Sequence, residues 1–314
     1  MIQIFNYRKY LTAITFLTWS MFHTCCHAQT PDVDRIEKNQ RKEGASSFGD
    51  TAKKGGNERS KFPFQQVDKE RKLDVKPGEI VFPSYEFELG KIKLSYGLYL
   101  PNSFEDSKTY PLVVVLHGLN SSPKQILGYP KLTKYADENE YILVAPMGYN
   151  KRGWYGSRGK GGGRGKDPDN LGELSEQDVM NVLKLTQQNF KIDSSRIYLY
   201  GHSMGGGGSM HLAMKYPSTW AAIAVVAPAI YGDRSRLESA KEIPSFVVQG
   251  DRDRLVSVSK TRLWVEKMKE LKMKHKYIEV KNGAHGAVAW QYFDPIFKFF
   301  ADNPKQDIKK AKND

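Results

Sequence analysis

The feature that most restricts the fold is an uninterrupted apolar run of strand length at residues 112–116 (Leu-Val-Val-Val-Leu). A strand with one face in water alternates apolar and polar residues, whereas this run offers water no polar face. Apolar residues on both faces are typical of a parallel strand that is covered by helices on either side. The run therefore predicts a strand buried inside a covered sheet.

Segments of strand character alternate with segments of helical character along the rest of the chain. Further strands are predicted at 141–145, 196–200, 221–226, 245–248 and 277–280, and helices at 124–139, 173–190, 204–215, 255–271 and 287–300. This alternation predicts an α/β protein with a mostly parallel central sheet and helices on both faces. Upstream, residues 80–89 and 91–100 have the pattern of two strands joined at Gly90, which adds an antiparallel N-terminal hairpin.

The first 28 residues have the layout of an export signal. Two basic residues precede an apolar run at 10–22, and residues 26–28 (Cys-His-Ala) form a triplet suited to cleavage. This pattern predicts a secretory signal peptide at 1–28, and the run is shorter than the roughly 20 residues of a membrane span. An uncleaved anchor is the alternative, and lipidation at Cys25 is a weaker one. Cleavage after Ala28 would remove both cysteines and, with them, any cysteine nucleophile or cysteine metal site.

Polar and charged residues dominate the next segment, 29–78, which predicts a disordered linker. We expect the catalytic domain to span 79–301 and a polar tail to follow at 302–314. The formal net charge of +13 makes anionic molecules candidate partners. Much of the excess charge in the domain lies in one loop, however, so the domain itself is close to neutral.

Residues 201–205 (Gly-His-Ser-Met-Gly) form a G-x-S-x-G motif between a predicted strand at 196–200 and a predicted helix at 204–215. That context is the one required of a nucleophile elbow, in which a serine sits on a tight, strained turn with its hydroxyl exposed. The flanking glycines permit the unusual backbone torsions. Ser203 is therefore predicted as a nucleophile, and the alternative is a glycine-rich turn whose serine has no function.

A serine hydroxyl is a weak nucleophile and needs a histidine as base, which is in turn oriented by an acid. After a nucleophile elbow the acid precedes the histidine in the chain. Asp251 and Asp253 both follow the predicted strand at 245–248, and the residues alone leave both open. His285 lies in the loop between the last predicted strand and the closing helix, and is predicted as the general base.

Two backbone N–H groups are candidates for an oxyanion hole. Met204 follows the nucleophile and begins a helix, where N–H groups favour an anion. Leu119 lies in the loop 117–120 (His-Gly-Leu-Asn) after the strand at 112–116, the position that usually supplies the second N–H group beside such an elbow. His117 is expected to bond the backbone of this loop rather than to react.

These motifs resemble those of the α/β-hydrolase superfamily over about residues 80–301. The closer resemblance is to secreted feruloyl esterases and polyhydroxybutyrate depolymerases of the carbohydrate esterase family 1 type, and to the catalytic domain of prolyl oligopeptidases. It is carried by residues 111–118, 145–146, 153–155, 201–206, 250–253 and 283–286. The resemblance implies an α/β-hydrolase fold, and the spacing after Gly250 favours Asp253 as the acid. The His-Gly-Leu-Asn loop departs from the His-Gly-Gly-Gly of many lipases, which favours the esterase branch.

Residues 151–166 form a glycine-rich loop with six basic residues and no acidic one. This composition is typical of a flexible, solvated loop. The alternative is a substrate-binding rim, because the loop follows a strand that ends on the same side as the elbow. Trp154 and Tyr155 would then stack on a sugar or an aromatic acyl group, and the basic side chains would attract an anionic polymer.

The combined prediction is a secreted or periplasmic serine hydrolase that cleaves small or polymeric carboxylic esters. Polysaccharide-linked and hydroxyacid esters are the candidate substrates, and an anionic substrate is included among them. The sequence predicts no cofactor, no metal ion, no nucleic-acid partner and no membrane span, and leaves the oligomeric state open. A serine peptidase of the prolyl-oligopeptidase type is the alternative, although that family normally carries a large N-terminal propeller for which this chain has no room. A binder without activity and a lyase are further alternatives.

Overall fold

The structure, a computed structural model, describes residues 73 and 75–306. The predicted signal peptide lies outside these residues, as do most of the predicted linker and residues 307–314 of the predicted tail. The described residues form ten strands: β1 (Ile80–Val81), β2 (Ser84–Phe87), β3 (Ile92–Ser95), β4 (Gly97–Tyr99), β5 (Tyr110–Leu116), β6 (Ile142–Ala145), β7 (Ile192–His202), β8 (Ala222–Val226), β9 (Ser245–Gly250) and β10 (His275–Val280). They also form six α-helices: α1 (Pro123–Leu127), α2 (Leu132–Glu138), α3 (Leu171–Asn189), α4 (Met204–Lys215), α5 (Val258–Glu270) and α6 (Phe293–Ala301).

Eight of the described strands form one sheet in the order β1-β4-β6-β5-β7-β8-β9-β10. All neighbours from β6 to β10 are parallel, whereas β4 is antiparallel to both β1 and β6. The predicted mostly parallel sheet is thereby confirmed. Because parallel strands end on one edge, the loops after β5, β7, β9 and β10 all leave from the same side of the sheet.

Strand β5 lies inside this sheet with all seven residues buried. Its side chains alternate between two apolar clusters: Leu112, Val114 and Leu116 belong to one, and Val113 and Val115 to the other. Helices α3, α4 and α5 contribute to the first cluster, and α1, α2 and α6 to the second. Helices therefore cover both faces, which is why the strand tolerates no polar residue.

The predicted N-terminal hairpin is present but divided into two parts. Strands β2 and β3 pair as a separate two-stranded sheet, while β1 and β4 pair with each other in the main sheet. Pro83 separates β1 from β2 and has no N–H group to continue a ladder. Its carbonyl accepts a hydrogen bond from the Tyr96 N–H at 3.0 Å, where β3 passes into β4.

The helix predicted at 124–139 is wrong as a single element, because α1 ends at Leu127 and α2 begins at Leu132. Gly128 and Pro130 lie between them, and a proline inside a helix would clash with the preceding turn. The helix predicted at 287–300 is likewise divided, into a 3₁₀ turn at Ala287–Ala289 and α6. Pro295 then falls in the first turn of α6, where its missing N–H group costs no hydrogen bond.

The described part of the predicted tail packs against the domain. Asn303 is buried, and the Lys305 N–H donates to the Ser195 carbonyl at 2.8 Å. In the described range, no helix is both long enough and apolar enough to cross a membrane.

Candidate active site

The elbow between β7 and α4 has the backbone strain that its motif predicts. Ser203 has φ 59° and ψ −118°, values that are costly for a residue with a side chain. Its N–H donates to the Val226 carbonyl at 2.9 Å, and its carbonyl accepts from the N–H groups of Gly207 and Ala229. These bonds hold the turn in place and leave Ser203 partly exposed at the sheet edge.

Close packing explains why the elbow needs glycine at 205. A Cβ atom at this position would lie 2.0 Å from the Leu116 carbonyl oxygen, far inside contact distance. The absence of side chains there lets α4 approach β5 and begin directly after Ser203.

Asp253 and His285 are brought together by the loops that follow β9 and β10. The Nδ1 atom of His285 lies 2.7 Å from Oδ2 of Asp253. Because a carboxylate only accepts, Nδ1–H donates and Nε2 of a neutral ring is left as a proton acceptor. The Asp253 side chain is fully buried, and that of His285 is 14% exposed. Asp251, the other acidic candidate, is exposed on its loop and forms no ion pair with His285 in the described residues.

The Asp253 carboxylate is surrounded by donors besides His285. The N–H groups of Leu255 and Val256 each donate to Oδ1 at 2.8 Å, and the Gln249 side chain donates to Oδ2 at 2.9 Å. Burial by itself raises the pKa of Asp253, but the bonds from Val256, His285 and Leu255 outweigh it and hold the pKa below its usual value. The carboxylate therefore stays ionised. In the described residues, no three His, Cys, Asp or Glu side chains are grouped to hold a metal ion.

The structure shows no direct hydrogen bond between the side chains of Ser203 and His285 in the described residues. His202 connects them, because it precedes Ser203 in the chain and its ring centroid lies 5.0 Å from that of His285. Its Nε2 also lies 3.2 Å from the His285 carbonyl oxygen. Catalytic hydrogen bonds are often long without substrate, so the missing bond does not exclude His285 as the base.

Both candidate oxyanion N–H groups lie beside the elbow. Met204 is the first residue of α4, and Leu119 follows Gly118, where a Cβ atom would lie 3.4 Å from the Cβ of Ser203. Neither N–H group donates to a partner within the described residues, which leaves both able to bind a ligand atom. His117 holds this loop, as expected: its ring nitrogens lie 2.8 and 2.9 Å from the carbonyl oxygens of Gly118 and Met147.

Two residues near the site escaped the sequence reasoning. Tyr129 donates its hydroxyl hydrogen to Nδ1 of His202 at 2.8 Å, and nothing in the loop after α1 signals this contact. Gln249 bonds Asp253 and accepts from the Thr261 hydroxyl at 2.9 Å. Gln249 had a readable signal, since it is a polar residue near the end of a buried strand and such a side chain needs partners.

The prediction that Tyr155 of the basic loop stacks on a substrate is wrong. Its side chain is fully buried, its hydroxyl donates to the His117 carbonyl at 3.2 Å, and its ring packs against Gly208 of α4. A side chain enclosed in this way has no face left for a substrate. Trp154 is only partly buried, and its ring centroid lies 5.3 Å from that of Tyr231.

The loop 151–166 is anchored to the domain at several points, although most of its residues are exposed. The carbonyls of Lys160 and Gly161 accept from the first N–H groups of α3, at 2.9 Å each. Arg152 forms an ion pair with Asp167 at 2.7 Å, so this positive charge is neutralised. The exposed residues agree with the predicted solvated loop, while these bonds anchor it to the domain.

Comparison with known proteins relates this chain to esterases. The Esterase family model matches residues 91–298. Over 159 residues the chain is 31% identical to an S-formylglutathione hydrolase of Rattus norvegicus, covering 47% of this chain and 56% of that protein. Over 158 residues it is 28% identical to feruloyl esterase B of Thermothelomyces thermophilus, covering 49% and 51%. The chain thus spans about half the length of these relatives.

A solved structure of a CE1 ferulic acid esterase from Anaeromyces mucronatus has a similar fold. The TM-score is 0.58 at 18% identity, over 76% of this chain and 100% of that chain. At this identity the likeness is evidence for the fold alone. Together with the strand order, it establishes the α/β-hydrolase fold that the motifs implied.

Proposed function

The chain belongs to the Esterase family, and on that premise we propose that it is a serine hydrolase that cleaves carboxylic esters through an acyl-enzyme on Ser203. The observation that carries the proposal is the 2.7 Å hydrogen bond between Asp253 and His285. This pair lies at the same edge of the sheet as Ser203, which follows β7. A histidine fixed by a buried carboxylate beside a strained serine is the arrangement that activates a hydroxyl group.

In the proposed mechanism His285 is the general base and Asp253 its orienting acid. Nε2 of His285 takes the proton of Ser203 Oγ while Oγ attacks the ester carbonyl carbon. The carbonyl oxygen becomes an oxyanion, which the N–H groups of Met204 and Leu119 stabilise. His285 then gives the proton to the departing alcohol oxygen, and the acyl group stays on Ser203. Water, deprotonated by His285, cleaves that ester, releases the carboxylic acid and restores the serine.

The surface around these residues favours an apolar acyl group. Large apolar side chains are exposed on the loops that carry the site: Leu119, 46%; Leu255, 77%; and Trp290, 39%. A rim of this kind offers van der Waals contact to an aromatic or aliphatic acid. A relative that is named a feruloyl esterase supports an aromatic acyl group of this class.

We further propose export and a polymer-linked substrate. The signal pattern at 1–28 supports secretion or transfer to the periplasm. An exported esterase meets polysaccharide-linked and hydroxyacid esters outside the cell, and these are the natural substrates to test first. If export occurs with cleavage after Ala28, the product recovered outside the cytoplasm will begin at Gln29 by N-terminal sequencing.

An ester panel on the purified protein tests the activity. Acetyl, feruloyl and longer aliphatic p-nitrophenyl or methyl esters are compared, with prolyl p-nitroanilide as the peptidase arm. Ester cleavage is expected, and Ser203→Ala should lower it by at least about 10³-fold. Ser209→Ala is the matched control, because this serine lies on α4 with its buried hydroxyl unpartnered in the described residues. Anilide cleavage faster than ester cleavage would favour the peptidase alternative, and no cleavage of any ester by folded protein would reject the proposal.

A further inference from the structure

A groove lies between the loop after β8 and the first two turns of α5. It encloses about 390 Å³ and is lined by Ile230, Tyr231, Arg234, Lys260, Leu263 and Trp264. We call it the side groove. A smaller recess of about 40 Å³ adjoins it and shares Ile230, Tyr231, Lys260 and Trp264 with it.

The recess is lined by residues that hydrogen-bond to two of the candidate catalytic residues. It is lined by Ala229, whose N–H donates to the Ser203 carbonyl at 3.0 Å. It is also lined by Leu255 and Val256, whose N–H groups bind the Asp253 carboxylate. The recess is therefore built partly from the backbone that holds Ser203 and Asp253, which places the side groove beside the candidate active site.

Three cations surround the side groove. Arg234 and Lys260 line it, and the Arg158 guanidinium lies 4.7 Å from the Tyr231 ring centroid. None of the three forms an ion pair with a carboxylate in the part of the chain that the structure describes. The acid in the lining, Asp233, already accepts hydrogen bonds from the N–H and the hydroxyl of Ser235.

Aromatic and aliphatic surface accompanies this positive charge. Tyr231 and Leu263 are 39% and 45% exposed in the lining of the side groove, whereas Trp264 is buried behind them. The Tyr231 ring offers a flat apolar surface to the face of a sugar ring, and unpaired Arg and Lys side chains attract an anionic substituent. A neutral apolar ligand would leave the cations unused, and a simple inorganic anion would leave the rings unused.

We propose that the side groove is a subsite for an acidic sugar, one that bears a carboxylate or a sulfate, on the alcohol side of the ester. The proposal rests on the proposed function and narrows it to esters of anionic polysaccharides. Carboxylated and sulfated sugars share the recognised chemistry, a ring face and a negative charge. The size of the side groove suits one or two sugar rings rather than an extended polymer.

Binding measurements test the subsite without relying on catalysis. Calorimetry compares three short oligosaccharides on the full-length protein: a galacturonan, a sulfated galactan and a neutral galactan. We expect the acidic sugars to bind at least about tenfold more tightly than the neutral one, with affinity falling as salt is raised. Whichever acidic oligosaccharide binds more tightly, the carboxylated or the sulfated one, identifies the anionic group that the side groove prefers.

A double variant, Arg234→Gln with Lys260→Gln, should lower acidic-sugar affinity at least about tenfold and leave neutral-sugar affinity unchanged. Lys269→Gln with Lys274→Gln is the control, because both lysines are exposed away from the side groove and the same two charges are removed. Equal binding of acidic and neutral sugars, equal losses in both double variants, or tighter binding of a single-stranded oligonucleotide would overturn the subsite.

Ester cleavage separates this proposal from the proposed function. The substrates are acetylated galacturonides and acetylated galactosides, which differ only at the carboxylate. A preference for the acidic ester that is lost in the Arg234→Gln/Lys260→Gln protein supports both proposals. Cleavage without a preference overturns the subsite alone, whereas selective acidic-sugar binding with no cleavage of any ester rejects the esterase and keeps the subsite.

Discussion

The ring of His202 lies with its Nε2 3.2 Å from the carbonyl oxygen of His285 and its Nδ1 2.8 Å from the hydroxyl of Tyr129. A carbonyl oxygen only accepts, so Nε2 carries the proton and Nδ1 accepts from Tyr129. The neutral ring thus ties the elbow to the loop that carries His285. Burial first, and then the nearby charge of His285, lower the pKa of His202 to about 4 from its usual value of 6.5.

This lowered pKa predicts acid sensitivity of the fold. In the unfolded chain His202 takes up a proton as the pH falls below about 6.5, whereas the folded protein resists protonation of this ring until about pH 4. The unfolded state binds more protons in that window, so the free energy of unfolding falls as the pH falls through it, by up to about 3 kcal/mol. Urea unfolding at pH 7.5 and at pH 4.5 measures the loss.

The variant His202→Gln should show a smaller difference between these two pH values than the wild type. His275→Gln, on β10, controls for the removal of a histidine and should keep the wild-type difference. Other groups also titrate in this range, so the test compares the acid-induced loss of unfolding free energy between the two variants and the wild type. An equally large acid loss in His202→Gln would show that this ring does not contribute.

Replacing Asp253 by Asn should keep the shape of the side chain beside His285 and remove its negative charge. The amide has the shape of the carboxylate, but it can donate to Nδ1 and so stabilise the wrong tautomer of His285. We expect kcat for ester cleavage to fall by about 10³- to 10⁴-fold. Asp251→Asn, on the same loop, should retain activity within about threefold of wild type, since its exposed carboxylate forms no ion pair with His285 in the described residues. Similar losses in both variants would contradict the assignment of Asp253.

Much of the sheet could be predicted because its determinants are local in sequence. The apolar run of β5 indicates a strand buried on both faces, and the glycine-flanked serine before α4 indicates a tight turn. Helix α4 begins and ends at the predicted residues. Pro130 and Pro295 also mark breaks, but the predicted helices follow only the apolar periodicity around them. Those two helices are divided because the proline ring cannot continue a helix, and the apolar periodicity contains no information about this ring.

The contacts of Tyr155 and Tyr129 could not be predicted, for a different reason. Both depend on residues far along the chain: Tyr155 packs on Gly208, and Tyr129 bonds His202. An aromatic residue in a glycine-rich loop has the same local pattern whether its ring is exposed for a ligand or covered by a helix. Only the path of α4 decides between these outcomes.

The buried ring of Tyr155 predicts a large difference from its exposed neighbour. Tyr155→Ala would leave a cavity beside α4 and remove the bond to the His117 carbonyl, so the free energy of unfolding should fall by about 3–5 kcal/mol. Trp154→Ala removes a partly exposed ring and should cost less than half as much. Denaturant unfolding of the two variants measures this difference. Equal costs would indicate that Tyr155 is accessible and would restore it as a candidate for substrate stacking.

The packing at Gly205 predicts that the elbow tolerates no side chain there. A Cβ atom would lie 2.0 Å from the backbone oxygen of Leu116, and neither β5 nor α4 can move away without disturbing the sheet. We expect Gly205→Ala to lower the free energy of unfolding by more than about 3 kcal/mol and to abolish ester cleavage. Gly286→Ala is the matched control, since a Cβ atom there meets nothing within 4 Å and its φ of −76° suits alanine. Thermal unfolding and ester hydrolysis are measured on both, and a folded, active Gly205→Ala protein would show that α4 does not need this close approach to β5.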